Sequence, residues 1–371
     1  MFRKLMLLVV AILLFQAGAW CGTKEVVYET RALWVISSDF ETPEKADEVV
    51  RRAVAANMNV LIPQAYCHGY TTYRSSYVPM DPKVEEKEYD PLGSLIDKAH
   101  EAGLEVHTWF CIALLPDRKV KAFLEENPEF GARAQGDMDW QYFKDPGGIV
   151  LANLHNEAYR DFMIDMMMEL VSRYDMDGLQ YDYIRAARPS YDLVSESGFR
   201  EKFGKPLEKA TTDDLHEWNA PVVEDIVKRA SEKARQLKPG IIMSAAVDPD
   251  IEHIWPQGQD SRKWAAEGWV DLLFTMDYEM SSEAVETFET NYAERIPNDM
   301  HGVGLAIYKE FAGSFPVSRS PKQVLSQMKV LRKLGIKHVA LFRHGFNSSE
   351  IIEALVKGPF REKAVPYYRK N

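Results

Sequence analysis

The sequence predicts a single α/β domain built as a (β/α)8 barrel, and three observations support this fold class. Eight short apolar runs alternate with amphipathic stretches from about residue 30 onward, and no low-complexity linker divides the 371 residues. The runs are continuously apolar, as expected for parallel strands buried on both faces. Eight strand–helix units joined by right-handed crossovers close into a TIM barrel.

The first residues are expected to form an export signal rather than part of the barrel. Two basic residues precede an apolar run of 11 residues, 5–15, which is too short to span a membrane. Small residues then predict cleavage after Ala19, so the signal is 1–19 and the barrel is 20–371. A bulky tryptophan precedes Cys21, which disfavours a lipid anchor there. We therefore expect a periplasmic or extracellular protein that has no membrane span after cleavage.

The predicted strands come first in each repeat of the barrel. Pro63 lies inside the second strand and would remove a ladder hydrogen bond, so we expect a bulge or a later strand start there. In chain order the eight predicted strands are 32–37, 59–66, 104–112, 176–183, 241–247, 270–278, 302–308 and 338–343.

The helices between these strands carry recognisable start signals. Pro43, Pro91 and Pro321 each follow a capping side chain, which places proline at the first helical position. Ser320 and Gln323 have the spacing of a capping box.

Long loops are predicted at one end of the barrel. The segments leaving the carboxyl ends of the second, third and fourth strands, 67–89, 113–155 and 184–210, are longer than the others. Active sites of such barrels lie at that end and are built from these loops.

Carboxylates at the strand ends are the candidate catalytic residues. Asp182 ends the fourth strand among aromatic residues, and a salt bridge to Arg185 is the alternative, structural interpretation. Asp277, Glu279 and Asp248 follow neighbouring strands and could supply a second carboxylate. A facing pair of carboxylates is the minimal equipment for glycoside hydrolysis.

Other residues at the strand ends and in the long loops fit a sugar site. Aromatic faces stack on sugar rings, while amide, imidazole and guanidinium groups bind hydroxyls. For each aromatic residue, core packing is an equal alternative. The histidines do not cluster at ligand spacing, so we expect neither a metal nor another cofactor. The candidate substrate-binding residues are Trp34, Gln64, Tyr66, His68, Tyr73, His107, Trp109, Trp140, Tyr183, Arg185, Tyr308, Arg343 and His344.

Net charge and cysteines narrow the function further. The formal net charge is −11, and no basic stripe is present, which argues against nucleic acid and anionic membranes as partners. Cys67 and Cys111 follow neighbouring predicted strands, so they could meet, either as a disulfide or as two small buried residues.

Several segments resemble one known family in the correct order. Residues 174–185, YDMDGLQYDYIR, resemble the YDVDGIHLDYIRYP signature of the glycosyl hydrolase-like 10 family of exported bacterial barrels. The segment 259–278 is similar to its QDWxxWxxxGxVDfxxPMxYt pattern, although Thr275 replaces a proline. Segments 31–35 and 106–109 look like its RGVWV and VHxW. The resemblance covers roughly residues 30–345.

This resemblance implies a barrel related to glycosidases and, for some members, hydrolysis of bacterial cell-wall glycan strands. Carried over by position, Asp182 looks like the strand-four nucleophile and Asp277 like its strand-six partner. Tyr278 closes the strand-six motif, and Asn153 opens a segment like the family's NPxxP, which adds both to the candidate substrate-binding residues.

The expected function is an exported glycoside hydrolase whose substrate is peptidoglycan glycan or a related amino-sugar polymer. Retaining, inverting and substrate-assisted mechanisms all remain open. The rival interpretation is a non-catalytic glycan-binding barrel, and a metal-dependent amidohydrolase is a more distant one.

Overall fold

The computed structural model describes residues 25–67, 69–80, 84, 88–115, 121–136, 142–144, 148–279, 281–309, 317–345 and 349–370. The proposed signal and Cys21 therefore lie outside the described residues, as do His68 and Trp140. No helix in the described ranges is both long and apolar enough to cross a membrane.

Eight parallel strands form a closed barrel, which confirms the predicted fold. Each strand pairs with the next along the chain, and the first also pairs with the last, so the sheet has no open edge. Every predicted run contributes one strand. The strands are β1 Thr30–Val35, β2 Val60–Cys67, β3 Glu105–Cys111, β4 Gly178–Asp182, β5 Ile242–Val247, β6 Leu272–Asp277, β7 His301–Ala306 and β8 His338–Phe342.

Helices surround the barrel, and the three whose starts the sequence predicts begin at Pro43, Pro91 and Pro321. The Thr42 side chain accepts a hydrogen bond from the Lys45 amide, and Ser320 forms the expected capping box with Gln323. The helices are α1 Pro43–Ala55, α2 Pro91–Glu101, α3 Lys121–Glu126, α4 Glu157–Arg173, α5 Leu193–Phe203, α6 Thr212–Leu237, α7 Ile251–Ile254, α8 Ser261–Ala266, α9 Ser282–Ala293, α10 Pro321–Lys333 and α11 Ser349–Lys357.

Short elements complete the fold. Two-residue strands pair Val27–Tyr28 with Ala364–Val365, and Tyr308–Lys309 with Val317–Ser318, while Tyr70–Thr71 pairs with the end of β2. Short 3-10 turns are Ser37–Asp39, Pro128–Phe130, Leu207–Lys209, Trp255–Gln257 and Tyr367–Arg369.

Side chains along each barrel strand alternate between two environments. In β6, Phe274 belongs to the cluster that fills the barrel, whereas Leu273 packs in the layer between strands and helices. In β4, Gln180 points inward to Trp34, and Tyr181 points outward to Ser231 of α6. This alternation decides which strand-end residues reach the mouth of the barrel.

A bulge follows Pro63. Of the two arrangements expected from the sequence, a bulge or a later strand start, the structure has the bulge. Pro63 lies beside Val35 of β1, and the pairing of β2 with β3 shifts register between Gln64 and Tyr66. The shift turns Tyr66 outward, so that Cys67 lies inward.

The inner face of β7 carries no side chains at two positions. A Cβ atom at Gly302 would lie 2.6 Å from the Phe274 ring, and one at Gly304 would lie 2.7 Å from the Trp34 ring. These glycines make room for the rings of Phe274 and Trp34 inside the barrel.

Candidate functional site

Asp182 lies at the carboxyl end of β4 and faces the inside of the barrel. Its Oδ2 atom accepts a hydrogen bond from Trp109 Nε1 at 2.8 Å, and its Oδ1 atom accepts one from the Tyr183 amide at 2.7 Å. The Asp182 side chain is 6% exposed. Two N–H donors stabilise an ionised carboxylate in a fixed orientation.

The backbone directly after Asp182 has an unusual conformation. Tyr183 has a φ angle of 47°, in the left-handed region that side chains rarely adopt. The residue in this conformation is the one whose amide donates to Asp182 Oδ1. Strain of this kind persists where the surrounding structure enforces it, and it clusters at functional sites.

Aromatic side chains surround Phe342 at the end of β8. Its ring stacks on Tyr278, with centroids 5.2 Å apart and planes 20° apart. The rings of Trp34, Trp109 and Tyr308 lie 5.9 Å, 6.3 Å and 5.9 Å from the same ring. We call these five residues the aromatic cluster. Phe342 is not among the residues predicted from the sequence, although it faces inward like Ala340 in the same strand.

Polar side chains hold the base of this site. Trp34 Nε1 donates to Gln180 Oε1 at 2.6 Å, and the Gln180 amide donates to Ser244 Oγ at 3.4 Å. Gln64 lies on the same inner face and accepts from the Ser37 amide at 3.1 Å. These bonds fix the tryptophan ring beneath the mouth.

Two arginines lie over tyrosine rings near the mouth. The Arg185 guanidinium is 4.7 Å from the Tyr183 ring centroid, and Arg343 is 5.8 Å from the Tyr308 ring centroid. Nη1 of Arg185 is buried, and no acceptor for it is found within the described residues. A ligand oxygen would satisfy that group.

Asp248 follows β5, the strand next to β4. Its carboxylate accepts from the Asp250 amide at 2.9 Å and lies 3.3 Å from His253 Nδ1. Gln259 accepts from the Asp248 amide at 2.8 Å and donates to the Ile184 carbonyl at 3.3 Å. A buried glutamine thus ties the end of β5 to the loop after β4. Asp248 remains partly exposed.

The structure does not bring Asp277 to the mouth. Asp277 has the outward alternation of Leu273 and Thr275, and its side chain is 0% exposed. It contacts Glu289 of α9, and burial together with that neighbour raises the pKa of Asp277 to about 8. Glu279, two residues later, is exposed on the rim.

Four other candidates lie away from Asp182. Tyr66 and Tyr73 are buried in the layer outside the barrel, where their hydroxyls donate to the Leu114 and Met166 carbonyls. His107 lies at the amino end of the barrel, 3.1 Å from the Tyr368 hydroxyl. Asn153 donates to Asp192 at 3.0 Å and lines a separate cavity of about 750 Å³ between two loops.

His344 and the cysteine pair occupy further positions near the strand ends. His344 Nδ1 lies 3.2 Å from Asp39 Oδ2. The Sγ atoms of Cys67 and Cys111 lie 2.6 Å apart, so the two residues meet as predicted. Cys111 Sγ is also 4.0 Å from Asp182 Oδ2, which places the pair beside the candidate nucleophile.

Several known proteins resemble this chain in sequence. Residues 29–309 match the family model described as Glycosyl hydrolase-like 10. Glycosyl hydrolase DigH of Escherichia coli K12 is 25% identical over 225 residues, which cover 52% of this chain and 47% of DigH. Glycosyl hydrolase YngK of Bacillus subtilis 168 is 22% identical over 356 residues, 82% of this chain and 66% of YngK. This chain thus spans about half the length of DigH.

Solved structures share the barrel at low sequence identity. The glycoside hydrolase domain of PgaB (BpsB) from Bordetella bronchiseptica has a TM-score of 0.70 at 12% identity, covering 88% of this chain and 98% of that one. The spore cortex-lytic enzyme SleL from Bacillus cereus has a TM-score of 0.56 at 9% identity, covering 92% and 76%. At these identities the likeness concerns the fold alone.

Proposed function

Because the chain belongs to the glycosyl hydrolase-like 10 family, we propose that it is a glycoside hydrolase that cleaves a polysaccharide at the mouth of the barrel. The observation that carries this proposal is Asp182. It ends β4 inside the barrel, two N–H donors orient its carboxylate, and the aromatic cluster lies beside it. A carboxylate on a strand end beside aromatic faces is the arrangement that glycosidic chemistry uses.

In the proposed mechanism Asp182 acts as the nucleophile. Its carboxylate oxygen attacks the anomeric carbon while the glycosidic C–O bond breaks, and a second carboxyl group donates its proton to the leaving oxygen. That second group then takes a proton from water, and the resulting hydroxide releases the sugar from Asp182. Trp109 and the Tyr183 amide keep the attacking group aligned.

Asp248 is our choice for the second carboxyl group. Tyr181 lies beside Ala245, so Asp248 is one strand away from Asp182 and two residues further toward the mouth. Strand spacing and rise then place the two Cα atoms about 8 Å apart. The retaining mechanism requires the two carboxyl groups, rather than the Cα atoms, to lie about 5–5.5 Å apart, a spacing that side chains turned toward each other can reach from this Cα separation. Asp277 is not assigned this role because no substrate oxygen can reach a side chain that is 0% exposed.

The proposed substrate is a bacterial glycan, either peptidoglycan strands or a related amino-sugar polymer. The partly exposed rings of the aromatic cluster, those of Tyr278, Tyr308 and Phe342, offer faces for sugar rings, and the partly exposed Arg185 side chain offers N–H donors for a hydroxyl or acyl oxygen. SleL, a spore cortex-lytic enzyme with a similar barrel, supports a cell-wall glycan by analogy.

We also propose that the protein is exported and that residues 1–19 are removed. The amino-terminal sequence of the protein recovered from an envelope fraction tests this, because a mature chain beginning at Trp20 is expected. A chain that retains Met1 in the cytoplasm contradicts it.

The function is tested by measuring reducing ends released from peptide-free glycan strands. We expect release by the wild type, and a loss of about 1000-fold in Asp182→Asn, equivalent to roughly 4 kcal/mol of transition-state stabilisation. Asp248→Asn should lose less than Asp182→Asn if it supplies only proton transfer, on the order of 100-fold.

Asp175→Asn is the matched control, since Asp175 is an exposed carboxylate that pairs with Lys238 at the opposite end of β4. Glycan binding by the wild type without release would replace the enzyme with the glycan-binding alternative. Release by Asp182→Asn at the wild-type rate would remove Asp182 from the mechanism. A normal Asp248→Asn together with an inactive Glu279→Gln would transfer the second role to Glu279.

A further inference from the structure

Two buried carboxyl groups meet outside the barrel, between β6 and α9. Glu289 Oε1 accepts from Thr275 Oγ1 at 2.7 Å, and Glu289 Oε2 lies 2.6 Å from His301 Nε2. Asp277 Oδ1 accepts from the Glu279 amide at 3.3 Å. Asp277 Oδ2 is buried, and no donor for it is found among the described residues.

A proton between the two carboxyl groups gives this unpaired Asp277 oxygen a hydrogen-bond partner. Two carboxylates in contact inside a dry layer repel each other, and each would also lose its hydration. If Asp277 carries a proton, its oxygen becomes a donor to Glu289. Glu289 is the better place for the negative charge because Thr275 and His301 already direct hydrogen bonds to it.

We propose that Asp277 is held as a neutral acid that donates to Glu289, and that this pair is a positioning device for Tyr278 rather than part of the reacting groups. The effect on turnover rests on the proposed function, whereas the retained proton does not. The raised pKa values of both groups, caused first by burial, agree with the geometry.

The pair reaches the site through the segment of Tyr278 and Glu279. On one side Asp277 holds the Glu279 amide. On the other side Arg319 donates to the carbonyls of Tyr278 and Glu279, and Gln327 donates to the Glu279 carbonyl at 2.8 Å. Tyr278 is thereby fixed against Phe342 in the aromatic cluster.

The charged and titratable groups around the pair come from every neighbouring element. The Arg319 guanidinium is the nearby cation, and Glu279 adds a carboxylate at the end of β6. His301 of β7 is neutral, since burial lowers its pKa to about 4. Tyr292 of α9 lies with its ring 5.2 Å from the His301 ring and stays neutral because burial raises its pKa. The Arg319 cation therefore faces the carboxylates of Glu289 and Glu279, and a third negative charge is avoided while Asp277 keeps its proton.

The first test measures the melting temperature against pH for the wild type, Asp277→Asn and a control, Glu283→Gln. The control changes an exposed carboxylate on α9, the helix that carries Glu289. Asparagine reproduces the donor and acceptor of a neutral acid. The folded protein keeps the Asp277 proton to a higher pH than the unfolded chain, so this group's stabilising contribution is complete at low pH. It is lost as pH rises from about 4 to about 8.

We therefore expect the melting temperature of Asp277→Asn to gain on that of the wild type as the pH rises through this range. Glu283→Gln should follow the wild type. Parallel curves for the wild type and Asp277→Asn between pH 4 and pH 9 would overturn the retained proton.

The second test compares pH profiles of reducing-end release. Asp277→Asn should keep turnover within about threefold of the wild type at pH 6 and extend the alkaline limb by about one pH unit or more. Asp182→Asn should be inactive at every pH. A correctly folded Asp277→Asn that is as inactive as Asp182→Asn would make Asp277 the catalytic acid and overturn the positioning role.

A third measurement keeps the inference testable if Asp277→Asn does not fold. Carbon-13 NMR of the wild-type side-chain carboxyl groups should show one buried carboxyl group that ionises near pH 8. Ionisation of all carboxyl groups below pH 6 would contradict the proposal. An inactive wild type that shows the high-pH ionisation would end the proposed function and the turnover effect while leaving the proton pair in place.

Discussion

Asp182 and Asp277 both end inner barrel strands, yet they lie in opposite environments. Asp182 faces the mouth, with N–H donors on both oxygens. Asp277 faces the helices and shares a dry layer with Glu289. Both residues belong to motifs that resemble the same family. The difference teaches that alternation along the strand, rather than position at its end, decides whether a carboxylate meets substrate or structure.

The largest effect is expected from breaking the contact between Asp277 and Glu289. Glu289→Ala removes the acceptor for Thr275, His301 and Asp277 together. We expect the free energy of unfolding to fall by about 3–5 kcal/mol, because three buried donors lose their acceptor and each unsatisfied group costs about 1–3 kcal/mol. Urea denaturation at pH 6 measures this.

Glu283→Ala is the matched substitution on the same helix, because Glu283 is exposed. It should change the free energy of unfolding by less than about 0.5 kcal/mol. Equal effects of the two substitutions would show that the buried pair contributes nothing specific.

A smaller effect is expected on the inner side. Trp109→Phe keeps an aromatic ring but removes the donor to Asp182 Oδ2. Hydrogen bonds to charged groups contribute about 1.5–3 kcal/mol, so we expect kcat to fall roughly 10- to 100-fold. Steady-state kinetics on glycan strands measures this, with the melting temperature as a check on folding. An unchanged kcat would mean that the indole does not orient the nucleophile.

The smallest expected effect concerns the aromatic cluster. Phe342→Leu keeps an apolar side chain and loses the stacking on Tyr278. Aromatic pairs contribute about 0.5–1.5 kcal/mol beyond buried area, so we expect KM to rise about 2- to 10-fold with kcat nearly unchanged. A fall in kcat with constant KM would instead place Phe342 at the reacting centre and contradict its assignment to substrate binding.

The barrel itself could be predicted from the sequence because its signals are local. Each apolar run became a strand, and the proline-marked helix starts appeared where capping chemistry placed them. The position of Asp182 at the end of β4 was likewise predictable, since the strand carries a specific motif.

The faces of the strands could not be predicted in the same way. Strands buried on both sides are apolar at every position, so the sequence carries no alternation from which to read inward and outward residues. Asp277 was therefore placed with Asp182, and Phe342 was overlooked. The outward direction of Tyr66 could not be predicted either, because it results from the bulge after Pro63. The sequence also did not indicate how far along β3 His107 lies. Only the structure shows that it contacts Tyr368 at the amino end of the strand.

The two glycines of β7 have a consequence for substrate range. A Cβ atom added at Gly304 would lie 2.7 Å from the Trp34 ring. Any side chain there would therefore displace the indole, which also donates to Gln180. The position of Trp34 in the proposed sugar site thus depends on a glycine of another strand. A library at position 304 is the direct way to retune which sugar ring fits while leaving the reacting groups untouched.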